Sequence, residues 1–431
     1  MLSKERHPTM STPVCGIDFG TSNSTAGLFT GGTATLCNLE GDESTIPSAI
    51  FIDDDSTRSF GRSAVKAYTR GDDGRFMRAL KSILGTDLAR ESTRIGNRQV
   101  AFTDILGSFI ADIKKHVDAT AGEELTRATI GRPVFFIDGD AKADAEAQNM
   151  LEEIVKSTGF KDVTFLPEPL AAAYTYEDTL KKEELALIID LGGGTSDFTV
   201  IRLSPEHKHK ENRSEDILSN HGVHIGGTDF DKALSLMCAM PELGHKGLMR
   251  APFSDKDIEI APWLFFTLAT WPKIHTLYNQ KTVRLVEDTL NHALDPNKLE
   301  RYLNVLEDES GHTLAMKVEE TKIALSASDE NILDMNFVEK GLSVPVTNNN
   351  HLRPSLSDSC DSLQRTVQET LDDAGVTAEQ ISSVFLTGGS TKLPMIREAL
   401  LQPFPHAHVV TGDAFGSVGV GLTLHAGRYF R

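Results

Sequence analysis

The sequence predicts an α/β protein of two lobes built on a duplicated core. Three observations carry that expectation. The stretch Leu187–Val200 reads as a strand, a tight turn through Gly192, Gly193 and Gly194, and a second strand. A shorter copy, Val14–Phe29, turns at Gly20 near the start of the chain. The chain's 431 residues are enough for two lobes, each with a sizeable core. A single turn of this kind is most often only a hairpin. Two in register argue for duplication and for a site shared between the halves.

Each first strand carries an Asp to the lip of its turn, Asp18 and Asp190, and hydroxyls follow the glycines at Thr21, Ser22 and Thr195. Glycines let a backbone approach a phosphate, and successive turn amides form an anion-binding nest. The carboxylates repel phosphate but suit Mg²⁺ and its waters. Facing each other, the hairpins would clamp a nucleotide tail and its metal from both sides. No G-x-x-x-x-G-K-[ST] run occurs, so a P-loop is excluded. Gly416–Gly421 lacks the strand–turn context of a dinucleotide fingerprint and reads as a helix face kept small for close packing.

The remaining elements follow in order. Strands and hairpins run to about Ile52, and Phe60 to about Thr120 has helical spacing, with Ile105, Phe109, Ile113 and Val117 on one face. Ala128–Phe136 reads as a strand, Ala141–Thr158 as a helix, Val163–Leu166 as a strand and Leu170–Leu180 as a helix. After the second hairpin, Ser204–Glu215 reads as a charged loop, with His207 and His209 solvated between lysines. Ile217–His224 is a strand leading into Gly226 and Gly227. Helices are expected at Leu299–Leu306, Leu314–Leu325, Leu356–Asp373, Ile396–Leu401 and Phe415–His425, and a strand at Val384–Thr387. Trp263 and Trp271 either fill a core or face a partner.

Composition narrows the function classes. Hydrophobic content of 39% and charged content of 24% are those of an ordinary globular protein. A net charge of −19 disfavours nucleic acid and anionic membrane as partners. A nucleotide site must therefore supply its own local positive potential. The four cysteines have neither metal nor disulfide spacing, which fits a reducing cytoplasmic setting. Residues 1–13 lack a signal-peptide core and read as a loose, flexible arm.

Taken together, Gly16–Ser24, Ala79–Gly85, Pro167–Glu177, Asp190–Val200, Gly226–Asp231 and Phe385–Pro394 resemble, in order, the ATPase domain of the DnaK-type heat shock protein 70 chaperones. The chain is most similar to the short YegD-type members. The resemblance implies the two-lobed actin-like ATPase fold, a duplicated ribonuclease H-like core with a nucleotide cleft between the lobes. It implies lobe I over 14–184 with 410–431 returning to it, and lobe II over 185–409 with an enlarged subdomain at about 231–350. Compared with the family, Asp231–Glu319 is an insertion, and the family's linker and C-terminal peptide-binding domain do not follow.

The resemblance also implies roles. ATP or ADP and Mg²⁺ are the expected ligands, with Asp18 and Asp190 holding the metal through water. Gly20, Thr21, Ser22, Asn23, Gly192, Gly193, Gly194 and Thr195 would receive the phosphates. Lys81 would be the catalytic lysine, although a Lys in an amphipathic helix is ordinarily solvated. Glu168, between Pro167 and Pro169, would order water and couple nucleotide state to the lobes; taken alone it is a plain helix start. Asp197 is a candidate to orient or deprotonate the attacking water. Gly226 and Gly227 would bind the nucleotide, and Glu319, Lys322, Ser326, Gly388, Gly389, Ser390, Lys392 and Asp413 would hold the adenosine. Glu319, Lys322 and Ser326 share a helix face by spacing alone. Ile323 and Lys392 stand where the family usually has Arg, and Lys does not stack on a base as Arg does.

The expected function is a slowly hydrolysing, chaperone-like ATPase whose nucleotide state opens and closes the cleft. The insertion is the candidate surface for an unknown protein partner or client. The alternatives are a small-metabolite kinase on the same fold, an actin-like filament protein, or a nucleotide-gated module without turnover.

Overall fold

The computed structural model describes residues 12–78, 80–84, 86–95, 98–137, 139–207, 210, 213–251, 256–410 and 416–430. Two sheets repeat one topology. In the first, β1 (Val14–Phe19) runs antiparallel to β2 (Asn23–Thr30), which pairs with β3 (Thr33–Leu36). On its other side β1 runs parallel to β4 (Arg127–Arg132), followed by β5 (Asp162–Pro167). The second sheet repeats the pattern with β6 (Glu184–Leu191), β7 (Ser196–Leu203), β8 (Ile217–Val223), β9 (Ser383–Thr387) and β10 (His408–Val410), in the order β8-β7-β6-β9-β10. β6 is buried on both faces through Leu187, Ile188 and Ile189, as its unbroken apolar run requires.

Helices cover the sheets. They are α1 (Gly61–Thr69), α2 (Phe102–Ala121), α3 (Ala141–Ser157), α4 (Glu168–Glu177), α5 (Gly227–Cys238), α6 (Pro262–Leu268), α7 (Gln280–Leu290), α8 (Pro296–Glu307), α9 (Gly311–Ala324), α10 (Ser357–Ala374), α11 (Pro394–Leu401) and α12 (Ser417–Tyr429). Asp140 caps α3 by accepting from the amides of Lys142 and Ala143, both at 3.0 Å. Gly375, at φ 66°, ends α10 in the left-handed region. Among the described residues, no helix is long and apolar enough to cross a membrane.

Several expectations are corrected. Among the described residues between 60 and 120, only α1 and α2 are α-helices; strands at Gly74–Arg78, Ser92–Ile95 and Arg98–Ala101 and two 3₁₀ turns lie between them. The strand expected to reach Phe136 ends at Arg132, before Pro133. The loop after β7 is anchored: buried Arg213 pairs with Glu177 at 2.7 Å and with Asp216 at 2.6 Å, and His207 meets Asp216 at 2.7 Å. Lys208 and His209, like residues 1–11 of the N-terminal arm, lie outside the described residues.

Separate apolar cores lie against the two sheets, and a third joins them. That third core is built from α4 and α12 with Ile188, Ile201 and Phe385. The glycines of α12 do what their pattern predicts. A Cβ on Gly421 would stand 1.9 Å from the Ala171 carbonyl of α4, and one on Gly419 2.4 Å from Thr25 Oγ1 of β2.

A second junction bridges the halves far from that core. Tyr68 of α1 meets His312 Nδ1 at the start of α9, with its hydroxyl at 2.6 Å. His312 Nε2 reaches the Trp271 carbonyl at 3.2 Å. Both contacts are satisfied together when Tyr68 donates to Nδ1 and Nε2 carries the proton. Phe76 stacks on Tyr68 at 4.5 Å, and the Arg78 guanidinium lies 5.0 Å from the Trp271 ring centre. Burial is the main cause that lowers the His312 imidazole to about 4.

Gly421→Ala should destabilise the protein by about 2 kcal/mol, since backbone rather than a flexible side chain blocks the new methyl. Melting at the parental temperature would refute the close approach. Because the folded-state value for His312 lies below that of an unfolded histidine, about 6.5, its contribution is intact above that value. It is lost as pH falls toward 4, by on the order of 3 kcal/mol. Thermal melts across this window should therefore fall less steeply for His312→Gln than for the parent. Parallel slopes would show that His312 is not the titrating group.

Candidate functional site

A cleft of about 880 Å³ opens between the sheets, and nearly every residue assigned from sequence lines it. Asp18 and Asp190 sit at matching places near the ends of β1 and β6. The turns after them meet: a Cβ on Gly193 would lie 1.9 Å from Ser22 Oγ. Gly20 has no room for a side chain either, because a Cβ there would stand 2.2 Å from the Asn23 carbonyl. Ser48 pins the first turn, donating to the Gly20 carbonyl at 2.6 Å and, from its amide, to the Ser22 carbonyl at 2.8 Å. Thr21, Asn23, Gly192, Thr195 and Asp197 also line the cleft.

Lys81 reaches the floor from a 3₁₀ turn, Leu80–Ile83, rather than from the expected amphipathic helix. It forms a direct ion pair with Glu168, the first residue of α4, and its side chain is only 8% exposed. Pro167, at ψ 130°, turns the chain into α4 so that Glu168 faces the cleft. Desolvation alone would lower the Lys81 value, but Glu168, Asp18 and Asp190 reverse this and hold it raised and charged. Burial pushes the Asp18 carboxyl up to about 8, with Glu168 and Asp190 adding to it and Lys81 opposing. Burial also raises Asp190, opposed by a hydrogen bond from Thr387.

Burial is the largest cause for both aspartates, and the crowding of three carboxylates around a single ammonium adds to it. Additional positive charge would relieve the excess. The donors are hard oxygens, so a divalent cation such as Mg²⁺ fits them. Among the described residues no three His, Cys, Asp or Glu side chains converge into a direct ligand cage. Two carboxylates across a cleft suit an ion held through its waters.

The far end of the cleft is lined by Glu319, Lys322 and Ser326, as their spacing predicts, although α9 ends at Ala324 and Ser326 lies in the turn beyond. Lys322 is buried and committed, 2.7 Å from Asp231 and 3.1 Å from the Gly227 carbonyl. Gly388, at φ 79°, leaves no room for a side chain, since a Cβ would stand 2.1 Å from the Leu191 carbonyl. Gly227, Gly389, Ser390 and Lys392 line the same end, where Ile323 is 58% exposed. Gly194 and Gly226 do not line the cleft. A Cβ on Gly226 would lie 2.6 Å from the Gly194 amide, and the Gly227 and Thr228 amides donate to the Gly192 and Gly193 carbonyls at 3.0 and 2.8 Å. Asp413 lies outside the described residues.

Asp231, Arg78, Trp271 and Thr387 line the cleft but were not singled out from sequence as site residues. Their partners are remote in the chain, so no local spacing marks them. Trp271 is half-buried at the cleft, and Trp263 is 48% exposed, so neither tryptophan is a core filler.

A family model described as Hsp70 protein matches residues 14–242 and 287–427. The break at 243–286 contains both tryptophans and is narrower than the insertion expected over 231–319. Chaperone protein DnaK of Endomicrobium trichonymphae is 26% identical over 402 residues, covering 92% of this chain and 53% of that relative. The chain therefore spans about half the length of that curated relative. With both sheets and both glycine turns inside the matched residues, the chain belongs to the Hsp70 family.

Proposed function

We propose that the chain is a chaperone-like ATPase that binds ATP with Mg²⁺ in the interlobe cleft and hydrolyses it slowly. The observation that carries this reading is the Lys81–Glu168 pair set between Asp18 and Asp190, beneath two glycine turns that meet. Thr21, Ser22, Asn23, Thr195 and the amides of Gly20, Gly192 and Gly193 receive the phosphates. Lys81 neutralises charge on the terminal phosphate, and Asp197 and Glu168 orient the attacking water. Asp18 and Asp190 would hold Mg²⁺ through its waters, and the ion would supply charge to offset the phosphates. The work of the chain is chiefly positional and electrostatic.

Gly227, Glu319, Lys322, Ser326, Gly388, Gly389, Ser390 and Lys392 hold the nucleoside. Nucleotide state biases the opening of the cleft. The four free thiols support a reducing, cytoplasmic setting. A protein partner meets the face around α6, where Trp263 and Phe266 are 48% and 44% exposed.

Lys81→Met should lower single-turnover ATP hydrolysis by on the order of a hundredfold or more while nucleotide binding, read by fluorescence titration, persists. Binding without turnover in the parent itself would favour a nucleotide-gated module. The pair Trp263→Ser with Phe266→Ser should abolish partner association and leave ATP affinity unchanged. Full retention of partners would sink the assignment of that face.

A further inference from the structure

Asp18 and Asp190 occupy matching places in the duplicated core, but their surroundings differ. In the second sheet Asp190 pairs with Thr387 across the parallel β6–β9 ladder, so the two side chains leave the same face. Thr387 Oγ1 lies 2.8 Å from Asp190 Oδ1 and 3.3 Å from the Ile189 carbonyl. One hydroxyl proton serves the closer, charged acceptor. Among the described residues this is the one hydrogen bond that Asp190 receives, and Thr387 is 5% exposed.

Gly388, which carries no side chain, leaves room beside the same oxygen: a Cβ there would stand 3.1 Å from Asp190 Oδ1. Oδ1 is thus the oxygen that accepts from protein. In the first sheet, Ile17 pairs with Ile130, and the next residue, Gly131, has no side chain to offer Asp18. A Cβ at Gly131 would instead meet Glu168 Cγ at 3.3 Å. Among the described residues Asp18 receives no hydrogen bond.

We propose that Thr387 is a positioning residue for the metal: its hydroxyl fixes the Asp190 carboxylate in one orientation, with Oδ1 bound to protein and the second oxygen presented to the hydrated cation. The threonine is suited to this. Its β-branched side chain is stiff about χ1, and its strand register places the hydroxyl beside the carboxylate. Thr387 acts on the cation through Asp190 and touches neither nucleotide nor metal.

This inference rests on the proposed nucleotide reading, and its test separates the two. ADP affinity of the purified full chain is measured by titration calorimetry in Mg²⁺ and again in EDTA, for the parent and for Thr387→Val, Thr387→Ser and Thr387→Ala. The expected result is that Thr387→Val loses about tenfold of the affinity that Mg²⁺ adds, the scale of one hydrogen bond to a charged group. Its EDTA affinity should stay at the parental value, and Thr387→Ser should restore the Mg²⁺ increment. Thr387→Ala also removes the hydroxyl and gives the same reading if the valine variant unfolds. An unchanged Mg²⁺ increment in the hydroxyl-free variants overturns the inference. So does a loss that is equal in Mg²⁺ and EDTA, which marks a structural role only. A parent whose ADP affinity is indifferent to Mg²⁺ instead overturns the nucleotide–metal reading beneath it.

Discussion

Charge balance at the floor of the cleft is the constraint on which the site depends. Glu168, Asp18 and Asp190 are gathered around Lys81 in partly or wholly buried positions. Breaking one partner from a buried pair costs about 3–5 kcal/mol, because the remaining charge is left without water or counter-ion. That penalty holds Lys81 to Glu168 through a short 3₁₀ turn that has little intrinsic stability of its own. Burial is the main reason that Asp18 is pushed up to about 8, and the carboxylates of Glu168 and Asp190 add to it. The site accommodates this strain in its carboxylates, and a divalent cation would relieve it. A net charge of −19 over the chain makes that local deficit more demanding, since the surroundings supply little positive potential.

Duplication explains how the cluster is assembled. The same five-strand order occurs twice, so the same strand end delivers an Asp from each half. The halves are locked by α4 and α12 at one end, where Gly421 and Ala171 approach within backbone contact. Glu168 begins α4, so the helix that joins the halves also carries the carboxylate that meets Lys81. Packing and chemistry are therefore coupled through a single element. At the other junction the bond is polar and aromatic, through Tyr68, His312 and Trp271. One junction is dominated by buried apolar surface and small residues. The other depends on a few directional contacts of about 1 kcal/mol each.

What the sequence makes legible is what is local. Both hairpins, their glycines and their Asp residues are read from a dozen neighbouring positions, and the small face of α12 from the spacing of its own glycines. The helix spacing of Glu319 and Lys322 survives as a shared cleft-facing surface. Illegible features depend on distant partners. Lys81 looks like a helix residue because Leu80, Ile83 and Leu84 are spaced as on a helix; its pairing with Glu168 sets the actual turn. Arg213 sits in a run of charges that reads as solvated, yet Glu177 and Asp216 bury it. Trp271 is apolar enough for a core, but Arg78 and His312 draw it to the cleft. In each case a tertiary contact outweighs the local pattern.

The two junctions differ in what it takes to separate the halves. A ligand shifts a conformational equilibrium only by the difference in its affinity for the two states. Opening at the mouth requires breaking the Tyr68–His312 bond and separating Trp271 from Arg78, a modest sum. Separation at the floor would expose the apolar surface that α4 and α12 bury against Ile188, Ile201 and Phe385 of the second sheet, a far larger one. The apolar junction at the floor is therefore the stronger of the two. Contacts confined to the second half, such as those of Lys322 and Ser390, bind equally in both states and shift nothing. Groups that meet across the halves stand where Ser22 approaches Gly193, beside Asp18 and Asp190. These are the turns proposed to receive the phosphates, so on that reading a contact made there would span both halves.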